Sequence, residues 1–192
     1  DRAILSFAYM PECRPADLLL EVLRDPRNAD AHFMAAICLD RCLPEERLPE
    51  IQGLAEVATG RSEKKGLLET IFEVGGERGR PLLEKLAAHP DPEIAEESRV
   101  LLVKLSPPAT GYLVRDIDEG SPAWAAGLRR GDVFTRIGDV SEPKQATVFA
   151  LDDLPEGEVV RVRVNRGGQE IELEWPAGVS SRIYGDPVRK PE

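Results

Sequence analysis

The stretch from Gly111 to Asp132, GYLVRDIDEGSPAWAAGLRRGD, decides the fold of its half of the chain. Tyr112-Leu113-Val114 and Ile117 make a short apolar run behind a glycine, the pattern of a strand. Gly120 breaks the run. Ser121 is a good helix cap, and Pro122 has its φ pre-set for a first helical position, so Ala123 to Ala126 reads as one or two helical turns. Gly127 supplies the stop and Leu128 an apolar anchor. Arg129-Arg130-Gly131-Asp132 then turns the chain into a second strand, Val133 to Ile137.

The segment GSPAWAAGLRRGDVFTRIGD resembles the core of a bacterial-type PDZ domain, with its Gly-Ser-Pro-Ala start, Ala-Gly-Leu and Gly-Asp-Val. Further motifs follow in the matching order. Pro143 to Leu151 is similar to the long PDZ helix, and Leu154-Pro155-Glu156-Gly157-Glu158 to the turn after it. Val159 to Asn165, Arg166-Gly167-Gly168 and Gln169 to Trp175 resemble the last hairpin. The resemblance covers about residues 109–178 and implies a partly open β-barrel capped by helices.

Residues 1–105 read instead as helix after helix: Ala16 to Arg24, Ala29 to Cys42, Glu46 to Thr59, Ser62 to Val74, Arg80 to Ala88 and Asp91 to Leu105. Ala3 to Tyr9 is a further helical candidate. Asp91-Pro92-Glu93 is a strong helix start: a capping Asp, Pro at the first position and an acid in the first turn. Leu19-Leu20-Glu21-Val22-Leu23 recurs as Leu82-Leu83-Glu84-Lys85-Leu86, an offset of 63 residues or two periods of about 31–32, with a weaker copy between. Helix pairs repeating at that period bury their apolar stripes by stacking. This resembles short HEAT-type repeats. The fold class expected is thus two domains, an all-α HEAT-like solenoid and a mainly-β PDZ-like domain. An irregular helical bundle is the alternative for the first.

Ser106-Pro107-Pro108 reads as a linker at 106–108, since a proline pushes the residue before it out of the α region. Val179 to Glu192, with Gly185, Pro187, Pro191 and few apolar residues, reads as a flexible tail or a connector. On helix spacing Phe33 and Ile37 read as core, and Glu63-Lys64-Lys65, Glu77-Arg78 and Glu96-Glu97 as solvated faces.

The net charge of −10 opposes a role in binding nucleic-acid phosphates. Residues 1–105 hold 20 acidic and 14 basic residues, net −6, and the remainder is net −4, so neither half is a basic module. No apolar run approaches the ~20 residues of a membrane-spanning helix. Asp1 in place of an initiator Met suggests an excised fragment. Cys13, Cys38 and Cys42 form no disulfide framework. Cys38 and Cys42 share a helix face and, with His32, could be imagined around a metal. Buried helix cysteines more often serve as small hydrophobes, so no metal or cofactor is expected. His89, before Pro90, reads as solvated.

The resemblance implies a peptide groove. PDZ domains bind an extended C-terminus or internal strand of a partner, which adds beside one of the domain's strands next to the long helix. On that ground Gly111, Tyr112, Leu113 and Val114 are the candidate strand, and Val148 and Leu151 the candidate helix face. The helix Ala146-Thr147-Val148-Phe149-Ala150-Leu151 is apolar nearly all round, which suits an element covered on two sides. The alternative is that all these residues are plain core. The carboxylate-binding loop and strand of the family normally precede this segment, but only Pro107-Pro108-Ala109-Thr110 stands there. Either Gly111 to Val114 doubles as both, or the strand is absent and the helical domain covers the open edge. Trp124 replaces a small or polar family residue, either as an exposed interface or as a ring tucked against its own domain.

No Gly-x-Ser-x-Gly, His-Glu-x-x-His or Gly-Lys-Ser/Thr motif occurs, and Asp152-Asp153 are adjacent rather than facing. Three functions fit: a non-enzymatic adaptor with two binding surfaces, a substrate-recognising piece of a larger bacterial protease, or a spacer with a closed groove. The expected partner is a protein or peptide, with no nucleic acid and no membrane insertion. The sequence sets no oligomeric state and leaves the compartment open between bacterial cytoplasm and cell envelope.

Overall fold

The computed structural model describes residues 15–155, 157–176 and 183–191. Cys13 and the candidate helix Ala3 to Tyr9 lie outside them. The chain divides into two compact units, Asp1–Leu105 and Ser106–Glu192.

The helical unit comprises α1 (Pro15–Arg24), α2 (Ala29–Leu39), α3 (Leu48–Val57), α4 (Arg61–Gly75), α5 (Arg80–Leu86) and α6 (Pro92–Leu105) among its described residues. Consecutive helices pack as α1 on α2, α3 on α4 and α5 on α6. In addition α4 packs on both α2 and α6, and α3 on α5. Leu20 and Leu83, and likewise Leu23 and Leu86, occupy equivalent buried positions in the two similar segments. Burying each such side chain stabilises by roughly 1.5–3 kcal/mol.

Ion pairs join helices distant in sequence. Arg47 binds Asp17 at the start of α1 and Glu50 on α3, while Arg24 at the end of α1 also reaches Glu50, at 2.7 Å. Lys64, expected on a solvated face, is buried. Its Nζ lies 2.7 Å from Asp91 and 2.9 Å from Glu93. Asp91 also caps α6, accepting from the Glu93 amide at 2.9 Å, and its own amide donates to His89 Nδ1 at 3.1 Å. Glu97 is buried too, so these charged clusters are not uniformly solvated. Phe33 and Ile37 are 42% and 37% exposed, against expectation. The core face of α2 is made by His32, Ala35, Ala36, Cys38 and Leu39.

The sheet unit holds β1 (Gly111–Ile117), α7 (Pro122–Ala125), β2 (Val133–Ile137), β3 (Val140–Ser141), α8 (Gln145–Phe149), β4 (Val159–Arg166), β5 (Gln169–Pro176) and β6 (Ile183–Val188). The strands form an open antiparallel sheet ordered β5-β4-β2-β1-β6, with β3 on β2, rather than a barrel. The apolar faces of β1, β2 and β4, together with Trp175 and Ile183, bury against Ala123, Leu128, Val148 and Leu151. The ring of Phe134 lies 6.0 Å from that of Trp175. The expected long helix is short: after Phe149 the chain continues through turn-like bonds, Leu151 N to Val148 O at 3.2 Å and Asp152 N to Phe149 O at 3.1 Å.

β6 corrects the expectation of a flexible tail. It pairs along β1 from Gly111↔Val188 to Ile117↔Ile183, with a bulge between Val114 and Asp116. The outer edge of β1 is therefore closed by this later segment of its own unit. Two glycines permit the close approach: a Cβ on Gly111 would overlap the Phe134 carbonyl oxygen, and one on Gly185 the Leu113 carbonyl oxygen. The Tyr112 ring crosses Gly185, its Cε1 only 2.7 Å from where a Cβ would stand. Arg115, at the bulge, reaches Asp186 at 3.0 Å.

Two outcomes are expected. Gly185→Val should detach β6, lowering the melting temperature of the sheet unit and raising amide exchange along β1; unchanged exchange would contradict the pairing. In the helical unit Arg27 holds the Asp25 carboxyl down, from 3.8 to about 2, and Lys64 likewise lowers Asp91. A depressed carboxylate stabilises the fold above its ordinary pKa, and that stabilisation is lost as pH falls through the folded value. Helix content should thus decline between about pH 4 and pH 2, as far-ultraviolet circular dichroism would record.

Candidate functional site

The main chain of β1 serves neighbours on both sides. The Val114 amide donates to Asp132 O at 2.8 Å, and its carbonyl accepts from the Gly131 amide at 2.9 Å, so Val114 faces β2. Strand alternation turns Tyr112 the same way and Leu113 toward β6. Leu113 therefore forms the hydrogen-bonded pair with Asp186, whereas Tyr112↔Pro187 and Val114↔Gly185 are non-hydrogen-bonded pairs. Gly185 and Pro187 then direct their main-chain groups away from the sheet. Pro187 is tolerated for that reason: its missing N–H falls on the outer edge.

The strand reading of Tyr112, Leu113 and Val114 as the docking edge is corrected accordingly. All three are fully buried, and their edges are taken by β2 and β6. Burial pushes the Tyr112 phenol upward. Gly111 sits at the floor of a surface cleft beside Pro187 and Val188. Val148 and Leu151, 3% and 2% exposed, belong to the core. The opposite side of the same helical segment carries Ala146, Phe149 and Ala150, all exposed, which accounts for its nearly all-round apolar character.

Among the described residues no strand pairs with the outer edge of β6, and α8 packs against this strand. Phe149 on α8 and Tyr184 on β6 are 45% and 60% exposed. The other edge differs. β5 carries exposed Glu170, Glu172 and Glu174, facing Arg161 and Arg163 of β4, a charged edge of the kind that resists strand addition. The sheet thus has one guarded edge and one with the main chain of Gly185 turned outward beside exposed aromatic side chains.

Trp124 is half-buried against the sheet unit's own core. Arg129 covers its ring face, 4.0 Å from the centroid, and donates through Nη1 to the Trp124 carbonyl at 2.7 Å. Ser121 Oγ caps this helical turn, accepting from the Trp124 amide at 3.2 Å.

In the helical unit His32 is buried, with Nε2 3.0 Å from Asp25 O and Nδ1 2.7 Å from Glu63. Burial raises both the Cys38 and Cys42 thiols, and the Cys42 thiol points at the Cys38 carbonyl. No group of three or more His, Cys, Asp or Glu side chains is arranged for a metal among the described residues.

Because Val148 faces the core, Val148→Glu should unfold the sheet unit rather than merely block a groove, since an unpaired buried charge costs several kcal/mol. Fluorescence of the buried Trp175 during urea titration reads this out; a folded variant would return Val148 to the groove.

A family model described as a PDZ domain matches residues 113–166. The probable periplasmic serine endoprotease DegP-like of Rickettsia prowazekii is 34% identical over 65 residues, which is 33% of this chain and 12% of that relative. The chain thus spans a small part of the protein it resembles. The solved PDZ domain of an SdrC-like protein from Listeria monocytogenes aligns with 38% of this chain and 87% of its own, at 18% identity and a TM-score of 0.32. No helix among the described residues is long and apolar enough to cross a membrane. The Gly-Ser-Pro-Ala turn and strands β1, β2 and β4 of the antiparallel sheet fall on the stretch, residues 113–166, that the PDZ family model matches.

Proposed function

We propose that the sheet unit is a non-catalytic recognition module that takes up an extended protein segment along the outer edge of β6, beside α8. The observation that carries this is the outward main chain of Gly185 and Pro187 next to exposed Phe149 and Tyr184. Added main-chain hydrogen bonds contribute roughly 0.5–1.5 kcal/mol each. A short ladder with two aromatic contacts therefore supports a Kd on the order of micromolar. The site residues of this reading are Gly185, Tyr184 and Phe149.

We read the helical unit as HEAT-like repeats offering a second partner surface. Support comes from the offset of 63 residues, the equivalent burial of Leu20 and Leu83, and the packing of α2, α4 and α6 in a row. A second function, substrate recognition within a larger envelope protease, is favoured by the likeness to the DegP-like endoprotease.

Phe149→Asp tests the edge. The side chain is largely outside the core, so the melting temperature should stay within a few degrees, while affinity for a display-selected peptide should fall more than about tenfold. Binding by this variant at full strength would remove α8 from the site.

A further inference from the structure

At the Val188 end of the β6 edge lies a solvent-open cleft of about 280 Å³. Lys144, immediately before α8, and Arg189, immediately after β6, line it together with Glu142, Pro143 and Pro187. Lys190 follows, its amide donating to the Thr110 hydroxyl at 3.1 Å. Lys144, Arg189 and Lys190 are all exposed, and none holds a carboxylate among the described residues. Among the described residues Glu142 is the single acid of the lining. In a chain of net charge −10, this is a locally positive spot.

Main-chain recognition weakens at the same place. Pro187, an outward residue of this edge, has no N–H to offer an added strand. Beyond Gly185, selection of a ligand falls to side chains, and those at hand are Lys144 and Arg189. We infer that this end of the edge selects an acidic residue, Asp or Glu, in the extended partner segment. The inference rests on the reading of β6 as the docking edge. It adds the ligand's charge pattern: a segment that runs apolar or aromatic beside Phe149 and Tyr184, then acidic beside Lys144 and Arg189. Exposed ion pairs are weak and screened by salt, so the expected selectivity is about three- to tenfold and falls as ionic strength rises.

The test is selection from a random heptapeptide display library, with the whole chain as bait, at low salt. The baits are wild type, Lys144→Glu/Arg189→Glu and Lys144→Ala/Arg189→Ala. Wild type should enrich Asp or Glu at one ligand position. The charge-reversed variant should enrich Lys or Arg there, and the alanine variant should lose the bias while keeping the apolar positions. A synthetic wild-type-selected peptide should lose about three- to tenfold in affinity on Glu→Ala at that position, and less in 0.5 M salt. The same acidic bias in all three baits, or none in wild type, would overturn the charge selection and leave the edge in place. If wild type selects no peptide, the edge reading falls and the charge selection with it. Phe149→Asp separates the two further, since it should weaken every selected peptide whatever its charge.

Discussion

The sheet unit depends on the carboxylate of Asp132, which has no solvent exposure. A buried charge without partners costs several kcal/mol. Here three donors meet it: Arg166 Nε at 2.7 Å, Arg166 Nη2 at 2.8 Å and the Arg129 amide at 2.9 Å. Arg166 Nη2 also donates to the Gly127 carbonyl at 2.7 Å, and Asp132 holds the Arg166 guanidinium firmly protonated. The end of β4 is thereby tied to the turn between α7 and β2. Breaking a fully buried pair costs about 3–5 kcal/mol, and less here because the Arg166 side chain is 41% exposed. The same turn fixes the direction of β1, because Gly131 and Asp132 take both main-chain bonds of Val114. That choice faces Leu113 to β6 and leaves Gly185 and Pro187 facing outward.

Much of this unit was legible because its signals are local. The Ser121 cap, the Gly-Asp turn and the alternation of Val159 to Trp175 each declare themselves within a few residues. β6 was not legible. Its partner lies about seventy residues earlier, and Gly185 and Pro187 read as breakers when taken alone. Their roles follow only from the neighbouring strand: glycine because Tyr112 crosses it, proline because it stands on an edge. The missed signal is the alternation Ile183, Gly185 on one face and exposed Tyr184 on the other. Placing the groove on Tyr112 to Val114 followed from missing this strand.

In the helical unit, helix existence was legible but the inward face of α2 was not. Its sequence, ADAHFMAAICL, is apolar on nearly every side, so spacing cannot rank one stripe above another. Proximity to α4 decides. Gly66 and Ala36 let the two helices close to the point where a Cβ on Gly66 would stand 3.0 Å from that of Ala36. The Thr70 hydroxyl, 2.9 Å from the Ala36 carbonyl, sits in the same seam. Such close packing selects small residues inward and turns Phe33 and Ile37 outward.

The pairing of β1 with β6 also sets an order of events in the life of the chain. Closing a loop of that length carries an entropic cost that local turns do not, so this pair is expected to form after the hairpins at β2 and β4-β5. At synthesis rates of roughly 5–20 residues per second, β1 leaves the ribosome about four to fourteen seconds before β6. During that interval the β1 edge carries unsatisfied amides and carbonyls beside an apolar face, the kind of edge to which other strands attach. The nascent protein thus passes through a brief window in which its own missing strand has competitors.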